Sequence, residues 1–115
     1  MSGPRRILIV EDEPLIAMML EDILATLDRE VAGVLDSVPA ALARIAEGGI
    51  DAAILDVHLR GHTCWPVADA LAERGIPFVI ASGGGERVPD PHGARPVLAK
   101  PFTVDGVRSR LDALA

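Results

Sequence analysis

Three short runs constrain this chain more than anything else in it: "ILIV" at 7–10, "AAIL" at 52–55 and "FVIA" at 78–81. Each is apolar at every position. A strand with one wet face alternates apolar and polar residues, so an unbroken run indicates a strand covered on both faces. They sit in longer strand segments, "RRILIV" at 5–10, "DAAILD" at 51–56 and "PFVIAS" at 77–82. A weaker strand, "EVAGVL" at 30–35, and a short one, "VLA" at 97–99, complete the set.

The segments between them have another period. Pro14 suits a first helical turn, and Ile16, Met19, Leu20, Ile23 and Leu27 follow at helical spacing. Ser37 is placed to cap a helix with the stripe Val38, Leu42 and Ile45, which the glycines at 48–49 close. "PVADALAER" at 66–74 reads as a short helix ended by Gly75. "TVDGVRSRLDAL" at 103–114 reads as a last one, with Val104, Val107, Leu111 and Leu114 on one face. Strands alternating with helices predict an α/β fold. The expected form is a flavodoxin-like, doubly wound parallel sheet of five strands in the order 2-1-3-4-5. One connection departs from the pattern. Residues 83–96, "GGGERVPDPHGARP", hold four glycines and three prolines. Glycine costs about 1 kcal/mol and proline about 3 in a helix interior, so the fourth helix is expected to be short or missing.

The 115 residues are expected to form one domain, 1–115, without a second or an output domain. Half of them are hydrophobic and only 3% aromatic, so the core is aliphatic. A net charge of −6 argues against a nucleic-acid surface, because phosphate backbones attract basic patches. No apolar run approaches the ~18 residues of a membrane span, and no signal-peptide apolar region follows "MSGPRR". Cys64 is the single cysteine and forms no internal disulfide or metal cluster. These features point to a soluble cytoplasmic protein.

In a parallel sheet every strand ends at the same edge, and ligands bind in the crevice there. The residues at those ends are Glu11 and Asp12 after strand one, Asp56 after strand three, Ser82 after strand four and Lys100 after strand five. Strands one and three are neighbours in the expected order, so their carboxylates face one another. Clustered carboxylates raise one another's pKa unless a cation intervenes. Mg²⁺ is the natural cation: it takes one or two carboxylates, keeps several waters and favours a phosphate oxygen. A phosphoryl group here would meet Mg²⁺ at one oxygen, Lys100 at a second and the Ser82 hydroxyl at a third. Asp56, at the centre of the sheet, is the candidate nucleophile for an aspartyl phosphate.

Each residue alone has a plainer reading. "EDE" before Pro14 complements a helix dipole, a strand-end Asp is mostly a turn residue, and Ser82 before glycines is mostly loop chemistry. His58 and His62 read as loop residues more readily than as metal ligands, and His92 in its Pro/Gly loop has no assigned role. The combination of acid, acid, hydroxyl and lysine at successive strand ends carries the specificity.

That combination resembles the receiver domain of two-component response regulators, from "ILIVEDEP" through "AAILDVHLRG" and "PFVIASG" to "VLAKPF". The resemblance implies that Glu11 and Asp12 are the family's acidic pair and Asp56 its phospho-acceptor. It likewise makes Ser82 the Ser/Thr and Lys100 the lysine before a usually cis proline. It implies that the backbone carbonyl of His58 joins Glu11, Asp12 and Asp56 around Mg²⁺. The implied partners are a histidine kinase or histidine phosphotransfer protein as donor and an unknown output protein. No nucleic acid and no membrane are expected, and the chain would not be a turnover enzyme. The signal would pass from a stand-alone receiver by partner binding or phosphorelay. Two departures stand out. Val97 occupies the place of the family's switch aromatic, and "IASGGG" resembles an alphaproteobacterial subgroup with Phe-Ala-Thr-Gly-Tyr-Gly there, except that Gly84 replaces its loop aromatic. Phosphorylation is therefore expected to order residues 83–95 instead.

Three rivals remain. A degenerate receiver would bind a partner without phosphorylation. A haloacid-dehalogenase-like phosphatase needs an Asp-x-Asp pattern after strand one, which "EDEP" does not supply. A flavodoxin-like flavin binder needs a phosphate loop there, which Glu11 and Asp12 would repel.

Overall fold

The apolar runs form the middle of a twisted sheet. The computed structural model describes residues 4–83, 88–89 and 92–114. Its elements are β1 (Arg6–Val10), α1 (Pro14–Thr26), β2 (Glu30–Leu35), α2 (Val38–Glu47), β3 (Ala52–Asp56), β4 (His58–Leu59), β5 (His62–Thr63), α3 (Trp65–Glu73), β6 (Phe78–Ser82), β7 (Val97–Ala99) and α4 (Val104–Asp112). The main sheet has five strands in the order β2-β1-β3-β6-β7, every neighbouring pair parallel. This is the order expected from the sequence once the small β4–β5 hairpin is set aside. Between β6 and β7 the described residues hold only a three-residue 3-10 turn, His92–Ala94. The expectation about residues 83–95 falls in part on 84–87 and 90–91, outside the described residues.

Successive side chains of a strand point to opposite faces. Leu8, Val10, Ala53, Leu55, Phe78 and Ile80 pack on one face with Ala41 and Ile45 of α2 and Val67 and Leu71 of α3. Ile7, Ile9, Ala52, Ile54, Val79 and Ala81 pack on the other with Leu20 and Leu24 of α1 and Val107 and Leu111 of α4. Two covered faces explain why these runs carry no polar residue.

The helix ends follow local chemistry. Pro14 is the first residue of α1. The Ser37 hydroxyl accepts the N–H of Ala40 at 3.3 Å, and the Thr103 hydroxyl accepts that of Gly106 at 2.9 Å, each closing a helix start. The buried stripes are rotated from the expected ones. Met19 is 42% exposed and Leu42 37% exposed, while Ala17 and Ala41 lie inside. The short alanines take the inward positions, and the neighbouring long side chains lie on the solvent side. Val104, expected on the buried face of the last helix, is likewise exposed. The hairpin was not anticipated: "HLRGHT" pairs His58 with Thr63 and Leu59 with His62 around Arg60 and Gly61.

The core sets the stability. Leu8→Ala, at a fully buried central position, is expected to cost about 2–5 kcal/mol in urea unfolding. Leu15→Ala, at an exposed position of α1, is expected to stay within about 0.5 kcal/mol of the parent.

Candidate functional site

Strand register assembles the site. Val10 pairs with Leu55, which puts the next residues, Glu11 and Asp56, side by side at the carboxyl edge. The Glu11 N–H donates to the Leu35 carbonyl at 2.9 Å and fixes the start of the following loop. Asp56 pairs with Ala81 of β6, and Ser82 pairs with Ala99 of β7. The Lys100 N–H donates to the Ser82 carbonyl at 3.0 Å, so Lys100 leaves the edge beside Ser82. The Lys100–Pro101 peptide is cis.

From there the Lys100 ammonium reaches across β6 to the carboxylates. Its Nζ lies 3.3 Å from Asp56 Oδ1 and 3.7 Å from Glu11 Oε1. Oxygens of Glu11, Asp12 and Asp56 all lie within 4.8 Å of one another. Glu11 and Asp56 are buried, and Asp12 is partly open to solvent. Glu11 Oε2 accepts the Glu13 N–H at 3.2 Å, while the buried Oε1 has no hydrogen-bond partner. Asp12 Oδ2 accepts the Arg60 N–H at 3.0 Å.

The charges show the strain of this grouping. Burial first, then the nearby Asp56 carboxyl, push the Glu11 pKa from 4.5 up to about 7. The Arg60 N–H holds the Asp12 carboxyl below its usual value. Burial alone would lower the Lys100 pKa, but Asp56 and Glu11 outweigh it and the amine is held above its usual value. A proton on Glu11 thus does at neutral pH what a cation would do better. The donors are hard carboxylate oxygens, one of them buried without a hydrogen-bond partner, which fits Mg²⁺.

A pH dependence follows. Because the folded-state pKa of Glu11 is raised, its contribution is fully present below 4.5 and lost as pH rises through about 7. Asp12, depressed, acts in the opposite sense and only as pH falls below 3.8. Metal-free protein is therefore expected to lose up to about 3 kcal/mol between those Glu11 values. Urea unfolding across this range checks it, and Glu11→Gln is expected to flatten the profile.

The structure thus brings Glu11, Asp12, Asp56 and Lys100 together and sets Ser82 at the same edge. His58 begins β4 two residues after Asp56, with its side chain in solvent, outside the carboxylate cluster. His62 is also exposed. His92 is buried, with Nε2 2.8 Å from Asp69 Oδ1 and its ring stacked on Trp65. Arg60 was not singled out. The available signal was the two-residue turn "RG" flanked by "HL" and "HT".

Comparison with known proteins agrees with this geometry. Residues 7–112 match the family model described as "Response regulator receiver domain". The solution structure of SdrG from Sphingomonas melonis Fr1 is 60% identical, with a TM-score of 0.88 over 99% of this chain and 98% of that one. The BeF3-activated conformation of SdrG from Pseudomonas melonis Fr1 is 57% identical, with a TM-score of 0.82 over 100% of both. The receiver domain of the response regulator PhyR from Erythrobacter litoralis is 28% identical, with a TM-score of 0.82 over 97% of this chain and 90% of that one. No curated protein matches the sequence. With the family model spanning nearly the whole chain and the acids and lysine meeting at the sheet edge, this chain belongs to the response regulator receiver domain family.

Proposed function

We propose that this receiver accepts a phosphoryl group on Asp56 from a histidine kinase or histidine phosphotransfer protein. Mg²⁺ would be held by Glu11, Asp12, Asp56 and the backbone carbonyl of His58. The observation that carries the reading is the Lys100 ammonium, 3.3 Å from Asp56 and 3.7 Å from Glu11, within a cluster of three carboxylates. An ordinary strand-end lysine would extend into water.

An Asp56 oxygen attacks the phosphorus of a phosphohistidine. A P–O bond forms as the P–N bond breaks, and the electron pair stays on the donor imidazole, which leaves neutral with its other nitrogen protonated. Lys100 pairs with one peripheral oxygen and the Ser82 hydroxyl donates to another. Mg²⁺, when held by these residues, would supply charge neutralisation to the phosphoryl group and among the acids. The acyl phosphate adds a dianion at the sheet edge, a local charge change able to bias a two-state surface. SdrG in its BeF3-activated conformation supports the reading, because BeF3 stands in for a phosphoryl group.

The signal passes by binding an output protein or by handing the phosphoryl group onward, not by turnover of a substrate. Val97, which takes the place of a switch aromatic, is partly exposed on β7 and leaves that partner's surface without a rotating ring. The acidic net charge of −6 disfavours a nucleic-acid partner. No described helix is long and apolar enough to cross a membrane, which is compatible with a site of action in the cytoplasm.

Incubation with a small-molecule phosphodonor and Mg²⁺ tests the reading. The intact mass is expected to rise by one phosphoryl group, and Asp56→Asn or a chelator to abolish the rise. An unmodified parent protein contradicts it and favours a phosphorylation-independent binding module. A gain that survives in Asp56→Asn contradicts the assignment of the acceptor.

A further inference from the structure

The tip of the β4–β5 hairpin holds a residue its backbone does not favour. Arg60 has φ 51° and Gly61 φ 81°, as a type I′ turn requires. Glycine or asparagine takes the first of these positions readily. A long side chain there persists when its surroundings hold it. Two carboxylates from other elements hold Arg60. Its backbone N–H donates to Asp12 Oδ2 at 3.0 Å. Its guanidinium pairs with Asp36 Oδ2 at 2.5 Å, one residue past the end of β2. A single residue therefore ties the acidic loop after β1, the segment after Asp56 and the end of β2.

We propose that Arg60 is a positioning residue for the metal site, its two bonds holding Asp12 and the segment after Asp56 in the arrangement that takes Mg²⁺. The inference rests on the reading above that Glu11, Asp12 and Asp56 hold this ion. Asp12 is partly open to solvent and is repelled by its two acidic neighbours, so a free carboxylate would swing outward. The Arg60 N–H engages one of its oxygens and keeps the carboxyl over the pocket. A carboxylate offers about four lone-pair sites, so acceptance of this bond leaves others for the ion. Asp36 in turn engages the guanidinium, which would otherwise compete with the ion for the pocket acids. Ligands already in place lose less freedom on binding. The Arg60 and Asp36 side chains are 61% and 51% exposed, so salt weakens the pair.

Electrostatics alone gives the opposite sign. Arg60 is a cation near the pocket, and its removal should tighten Mg²⁺ binding, whereas truncation keeps the N–H but frees the hairpin tip from Asp36, so that the N–H no longer holds Asp12 in place and binding weakens. The test is calorimetric titration of the full chain with Mg²⁺ alone. Arg60→Ala and Arg60→Gly are compared with the parent, and Arg60→Lys serves as rescue. Glycine relieves the backbone, so Arg60→Gly is expected to melt no lower than the parent without metal. Both truncations are expected to weaken Mg²⁺ binding about tenfold, the low end for residues that support metal ligands. Arg60→Lys is expected to recover part of the loss. Binding as tight as the parent's, or tighter, in both truncations overturns the inference alone. A parent protein that binds no Mg²⁺ overturns the metal reading and this inference with it.

Discussion

Three carboxylates within 4.8 Å repel one another, and the carboxyl edge of the sheet is organised around that repulsion. Lys100 bridges two of them, the Arg60 N–H engages the third, and Glu11 is pushed toward protonation. None of these devices would be needed in a pocket that had only to be stable. Apolar replacement of buried ionic groups is often neutral or stabilising. On the proposed reading, a set of like charges kept together at the centre of a parallel sheet is a site prepared for a cation. On that reading a phosphoryl group on Asp56 would bring more negative charge to the same place.

The sheet that holds these groups was legible because its signal is redundant. Ile7, Leu8, Ile9 and Val10 are buried on alternating faces, so every position of the run had to be apolar. Five such segments separated by helical periods leave few arrangements. The site was legible for the same reason: once strand order is fixed, Glu11, Asp56, Ser82 and Lys100 can only end at one edge. Less was readable where a choice depends on neighbours. Whether Ala17 or Met19 faces inward on α1 depends on how closely the helix approaches the sheet, and periodicity alone does not carry that distance. The β4–β5 hairpin has two residues per strand, below the length at which alternation can be seen. The contacts of Arg60 come from Asp12 and Asp36, 48 and 24 residues away, beyond the reach of any local pattern.

His92 illustrates the same limit. The sequence places it in a Pro/Gly loop, where a histidine is ordinarily a solvated residue. In the fold it is buried against Trp65 and edge-on to Phe78, with Asp69 as its polar partner. It pins the 3-10 turn before β7 onto α3. Lys100 follows that strand, so the lysine at the site inherits its position in part from this packing. The carboxyl edge of the sheet and the surface of α3 are thus joined through one imidazole.

The most direct measurement is the melting temperature as a function of Mg²⁺ at pH 8 and constant ionic strength. Glu11, pushed up to about 7, is then mostly ionised and most of the carboxylate repulsion is present. If the pocket is built for a divalent cation, the melting temperature rises steadily with the logarithm of Mg²⁺ concentration, as linkage requires. Asp12→Asn then removes most of the rise. A melting temperature indifferent to Mg²⁺, or a rise that Asp12→Asn leaves intact, contradicts it.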